Sequence, residues 1–68
     1  MKLSARNQLP GMVEQVHTGE IMARVVVKVG EHLLESVITR QSVEELGLKP
    51  GDVVHVVVRS TEVMIQKD

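Results

Sequence analysis

Cysteine, tryptophan, tyrosine and phenylalanine are all missing from this sequence of 68 residues. Without cysteine there is no disulfide framework and no thiolate metal site. Without aromatic rings the core must be built from valine, leucine, isoleucine and methionine, and the bases of a single-stranded nucleic acid would find nothing to stack on. Charge of one sign is not in excess either. The formal net charge is −1, with acidic and basic residues interspersed, which argues against a surface made to neutralise phosphates. No apolar run approaches the ~20 residues of a membrane span, and the N-terminal stretch lacks the apolar core of a signal peptide. The expectation is a cytoplasmic protein with no membrane and no nucleic-acid partner.

Residues 1–68 read as one small domain. A chain of this length buries only about 60% of its unfolded surface and is marginal alone. Small scaffolds of this kind are stabilised by disulfides, a metal or assembly. The first is excluded. For the second, His17, His32 and His55 are spread over separate segments with no ligand spacing, so no metal held directly by side chains is expected. Assembly into a homo-oligomer is what remains.

Hydrophobic alternation places the strands. Lys2–Gln8 reads as a strand or extended arm, with a bend or bulge at Pro10-Gly11. Met12–His17 continues extended to a turn at Thr18-Gly19. From Glu20 onward Ile21, Ala23, Val25, Val27 and Val29 share one face, and Met22, Arg24, Val26 and Lys28 share the other. Gly30-Glu31 is a tight connection between two hairpin strands. In the second of these, Leu34, Ser36 and Ile38 alternate with Leu33, Glu35, Val37 and Thr39. Ser42-Val43-Glu44-Glu45 fits a capping box with Ser42 as N-cap. The short helix it opens ends at Gly47, with Val43 and Leu46 facing the sheet. Asp52–Arg59 is a strand with Val54, Val56 and Val58 inward, and Glu62–Lys67 is the last strand. Met12, Met22 and Met64 are expected to fill gaps in the core. The sum is all-β with one short helix: a five-stranded, closed or partly closed barrel of oligomer-binding-fold (OB-fold) type, whose first and last strands are candidates for pairing between subunits.

No enzyme is expected. Glu44 and Glu45 are adjacent on a helix and diverge by about 100°, so they are no acid–base pair. No Ser/His/Asp arrangement has a plausible geometry, and no glycine-rich phosphate loop precedes a helix. What does stand out is a set of donors. Ser4 and Arg6, two apart on a strand, share a face. Arg59, Ser60 and Thr61 lie near the other end, and Thr39 closes the third strand. Hydroxyls and guanidinium groups with no carboxylate suit an oxygen-rich anion that carries no proton of its own.

The opening Ser4-Ala5-Arg6-Asn7-Gln8-Leu9, with Gly11 two residues beyond Leu9, resembles the start of the molbindin (Mop) family of small bacterial molybdate- and tungstate-binding proteins. The resemblance continues through Ser42-Val43-Glu44-Glu45-Leu46-Gly47-Leu48 and Glu62-Val63-Met64-Ile65, and so covers essentially the whole chain. It implies an OB-fold with strands exchanged between subunits and a hexamer built as a trimer of dimers. It also implies an oxyanion site made of Ser4, Arg6, a Thr39 from the neighbouring subunit, and Arg59-Ser60, where the family carries Lys-Ala or Lys-Ser. Molybdate or tungstate is then the bound ligand, with no organic cofactor, and the role is storage, buffering or delivery in molybdenum homeostasis. His17, beside the Thr18-Gly19 turn, is a candidate for a second anion site. A different class of protein shares one stretch. Arg40–Asp52, a short helix leading through Lys49-Pro50-Gly51-Asp52 to a valine-rich strand, recurs in small dimeric AbrB-like DNA-binding regulators. Retardation of mixed duplex at low salt would favour that alternative.

Overall fold

The computed structural model describes residues 7–68. Along them run β1 (Asn7–Thr18), β2 (Met22–Val29), β3 (His32–Thr39), α1 (Arg40–Leu46), β4 (Val53–Val58) and a 3₁₀ turn at Ser60–Glu62. The four strands form one antiparallel sheet in the order β3-β2-β1-β4. The expected mostly-β class with one short helix is therefore observed. The expected arm at Lys2–Gln8 lies, up to Arg6, outside the described residues.

The valine alternation in β2 positions the core. Ala23, Val25 and Val27 are buried on one face together with Val13 of β1 and Val43 of α1, and Val16, Val29, Ile38, Leu48, Val54 and Val56 pack around them. Burial of a valine-sized side chain contributes about 1.5–3 kcal/mol, so this cluster is the main source of stability in a chain without aromatic rings. Val26 is buried as well, although it lies on the face read as more polar. The β2–β3 hairpin closes through Gly30-Glu31, between the paired Val29 and His32. Gly30 has φ 61° and Glu31 does not have positive φ, as a two-residue type II′ loop requires.

β1 is continuous where a bend was expected. Pro10 and Gly11 pair with His55 and Val54 of β4, and β1–β2 pairing begins only at Met12. Pro10 therefore has a neighbouring strand on one side only, and its missing N–H leaves no β2 ladder bond unmade. The irregularity lies further on. Val13 faces Val27 and Gln15 faces Val26, leaving Glu14 as the extra residue. At the same point β1 parts from β4. Val13 donates its N–H to the Asp52 carbonyl at 2.9 Å, and its own carbonyl accepts from Gly51 N–H at 2.8 Å. The Lys49–Asp52 turn thus takes over the hydrogen bonds of β1 where the bulge turns the strand.

The helix starts three residues earlier than its sequence suggests. Its N-cap is Thr39, not Ser42: Thr39 Oγ1 accepts from Ser42 N–H at 3.1 Å. Two Ser/Thr residues three apart both qualify as caps, and the end of β3 decides between them, because Thr39 is still paired with Met22. Gly47 ends the helix in the left-handed conformation, φ 63°, as expected. Leu46 does not face the sheet. It is 68% exposed, and Leu48 packs on the core in its place, because the chain reverses at Gly47 and returns the second residue after the helix to the sheet.

Two further expectations are corrected. Met12, Met22 and Met64 are exposed rather than core residues: Met22 alternates with the buried Ala23 onto the face of Arg24 and Lys28, Met12 is paired with Lys28, and Met64 lies beyond the last strand. The fifth strand expected over Glu62–Lys67 is not formed. Ser60–Glu62 is a 3₁₀ turn, and residues 63–68 pair with no strand among the described residues. A strand needs a ladder partner whatever its propensity, and here Met64 and Ile65 stand 94% and 90% exposed. Among the described residues the sheet is not closed: β3 and β4 are its edges. A largely apolar groove of ≈ 530 Å³ runs over its concave face, bounded by Val25 and Ile38 on one side and Val54 and Val56 on the other.

Candidate oxyanion site

The expected site residues that are described lie where strands end. Thr39 is the last residue of β3, and Arg59 and Ser60 follow directly on β4. Ser4 and Arg6 lie outside the described residues. Arg6 is bonded to Asn7, however, and Asn7 pairs with Val58, the residue before Arg59.

Thr39 is at the opposite end. It pairs with Met22, next to Ala23, which faces Thr18 at the end of β1. The twelve residues of β1 separate the two places, on the order of 30 Å along the strand at ~3.3 Å per residue. Hydrogen bonds to one small anion reach about 3 Å. A single chain therefore does not bring Thr39 and Arg59 to the same ligand.

The charge around each part differs. Arg59 and Ser60 are exposed. The ion pairs among the described residues are Arg24–Glu35 at 3.4 Å and Arg40–Glu44 at 3.0 Å, which leaves the Arg59 guanidinium without a carboxylate partner there. Thr39 lines a hollow of ≈ 380 Å³ with Glu20, Ile21, Arg40, Gln41 and Glu44. That hollow holds two carboxylates and one guanidinium, the latter already bonded to Glu44 Oε1, so on its own it offers a dianion no excess positive charge. Its clearest asset is the Thr39 hydroxyl. Besides capping the helix, it lies 2.8 Å from Ser42 Oγ. Sequence reading passed over this hydroxyl pair because the helix start was placed at Ser42 itself; the signal was the Thr39-x-x-Ser42 spacing.

His17 is exposed, and its Nε2 lies 3.0 Å from Gln15 Oε1. Among the described residues no cluster of histidine and carboxylate side chains could hold a metal, and no helix is long and apolar enough to cross a membrane.

The TOBE-domain family model matches residues 3–65. The chain is also 47% identical over 66 residues to molybdenum-pterin-binding protein 1 of Clostridium pasteurianum, which spans 96% of this chain and 97% of that protein. The chain belongs to the molbindin family of TOBE domains. Its backbone agrees with that of a molybdate-binding protein from Sporomusa ovata at a TM-score of 0.95 and 39% identity, covering 98% of this molbindin and all of the other chain. ModG, a cytoplasmic molybdate-binding protein solved with molybdate bound, matches with a TM-score of 0.83 and 39% identity over 88% of the molbindin and 43% of its own length. All three names describe binding rather than catalysis. The Arg40–Asp52 stretch that suggested a DNA-binding regulator lies inside the matched TOBE domain.

Proposed function

We propose that this molbindin binds molybdate or tungstate in the cytoplasm, as a store, buffer or carrier, in pockets shared between copies of the chain. The observation that carries the reading is the near-full-length identity to molybdenum-pterin-binding protein 1, joined to a fold that superposes on a molybdate-binding protein. Ser4, Arg6, Arg59 and Ser60 supply donors from one chain, and Thr39 supplies a hydroxyl from a neighbour. The separation of Thr39 and Arg59 along β1 supports a shared site, since each chain owns both parts but cannot use them together. A ligand that is fully deprotonated accepts from all of these groups and needs no acceptor in return.

The same sharing extends to the fold. Val63–Lys67 becomes the fifth strand when a second copy offers it an edge, which closes the barrel and covers Met64 and Ile65. The open edges of β3 and β4 and the apolar groove support this, because unprotected edges and exposed apolar side chains are where chains associate. A hexamer made as a trimer of dimers is the assembly we propose.

Ligand that binds only the folded assembly raises its melting temperature by mass action. Molybdate at a hundredfold excess over Kd contributes about 2.7 kcal/mol per site, a rise on the order of 10 °C for a domain of this size. Calorimetry with increasing molybdate should show this rise, and sulfate at equal concentration should not. A melting temperature unmoved by saturating molybdate would contradict the reading.

A further inference from the structure

We infer that Ser42 is a positioning residue for the oxyanion, one that makes the Thr39 hydroxyl a donor and nothing else. The inference rests on the site proposed above, in which Thr39 touches the ligand. A hydroxyl has one proton to donate and two lone pairs to accept with. In Thr39 one lone pair is taken by Ser42 N–H, at 3.1 Å. Ser42 Oγ, at 2.8 Å, is a second partner. That bond can run in either direction, but only one direction is compatible with ligand binding. If Thr39 donated to Ser42 it would have no proton left for an anion. When Thr39 donates to the anion, Ser42 Oγ–H must donate to Thr39, and the second lone pair is then filled.

Thr39 so held can give a hydrogen bond to the ligand and cannot take one. Two partners from the same residue, one main-chain and one side-chain, fix the direction of its proton. The N–H groups of the seven-residue helix are not the ligand's donors in this arrangement; the hydroxyl is. The consequence is discrimination by protonation state. Molybdate, tungstate and sulfate bring no proton at neutral pH. Hydrogen phosphate brings one, which needs an acceptor, and Thr39 has none free. Thr39 is exposed in the single chain; in a pocket closed by a neighbouring copy, a donor left facing another donor loses the hydrogen bond and keeps the desolvation cost.

The test compares the full-length protein with Ser42→Ala, Ser42→Cys and Ser42→Thr. Ser42→Ala keeps the Ser42 N–H cap on Thr39 and so keeps the helix start, while freeing one lone pair. Ser42→Cys does the same with nearly the original volume and only a weak donor. Retained molybdate is measured by equilibrium dialysis with sulfate or phosphate as competitor, at mildly acidic and at alkaline pH. For Ser42→Ala and Ser42→Cys we expect molybdate to bind up to about tenfold more weakly, the worth of one hydrogen bond. We also expect phosphate to gain several-fold on sulfate as a competitor, the more so at the acidic pH where it carries a second proton. Ser42→Thr should restore both properties. The phosphate-to-sulfate ratio is the decisive readout, because a merely structural role for Ser42 would weaken all anions alike. An unchanged ratio in both Ser42→Ala and Ser42→Cys would overturn the inference. Failure of the wild-type protein to retain molybdate would instead overturn the binding function beneath it, before any variant is compared.

Discussion

Arg59→Glu is expected to lose molybdate retention altogether and to melt where the wild-type protein melts. Arg59 is exposed, follows the last residue of β4, and has no ion pair among the described residues. Nothing in the core depends on its side chain. In the proposed site it supplies a charge-assisted donor to a dianion, and removing one partner of such a pair costs about 2–5 kcal/mol, a factor of roughly thirty or more in Kd. Reversing the charge adds repulsion. Arg59→Lys, which restores the residue the family carries at this place, should keep binding but shift its strength, because an ammonium is a point charge where the guanidinium is a planar fork. Dialysis against molybdate, with a thermal melt on the same samples, checks both. Full retention by Arg59→Glu would remove Arg59 from the site.

Gly11→Val is expected to be the most damaging single substitution to the fold. A Cβ on Gly11 would stand 2.7 Å from the Lys28 carbonyl oxygen, 2.8 Å from Val27 Cγ1 and 3.0 Å from Val29 Cγ2. The first of these is backbone at the start of the β1–β2 ladder and cannot turn aside as a side chain can. Overpacking of this kind costs about 1–3 kcal/mol for added methylenes alone, and a branched side chain against a strand adds to it. At roughly 4–8 °C per kcal/mol for a domain of this size, a drop of 10 °C or more is expected, with less soluble protein. Gly30→Ala is the contrast. Nothing lies within 4 Å of its Cβ, and only φ 61° opposes it, so its cost is the torsional ~1–2 kcal/mol of a left-handed residue. A melting temperature for Gly11→Val no lower than that of Gly30→Ala would show that β1 and β2 can part without loss.

These two residues also mark what the sequence made legible. Gly11 was read as a bend; its actual role, a close approach between strands, depends on where β2 passes, which no local pattern reports. β2 itself is plain, because Ala23, Val25 and Val27 alternate with Arg24, Val26 and Lys28 and share one buried face, although Val26 on the other face is buried too. Gly30 and Gly47 were plain too, since each stands where the backbone takes positive φ. The helix start was not, because Thr39 and Ser42 have the same capping chemistry and only the length of β3 chooses between them. The last strand differs for another reason: Val63 and Ile65 have strand-forming side chains but pair with no strand among the described residues. For the site, composition pointed only to donors. That Thr39 and Arg59 belong to one ligand came from the family resemblance, and their placement at opposite ends of β1 is what ties that assignment to assembly.

The most direct measurement is equilibrium dialysis of the purified protein against molybdate, with sulfate and phosphate in excess and retained molybdenum read by elemental analysis. Molybdenum held at a reproducible ratio per chain, undisturbed by the competing anions, is the expected result. Molybdenum at the same concentration on both sides of the membrane would contradict an oxyanion-binding function for this molbindin.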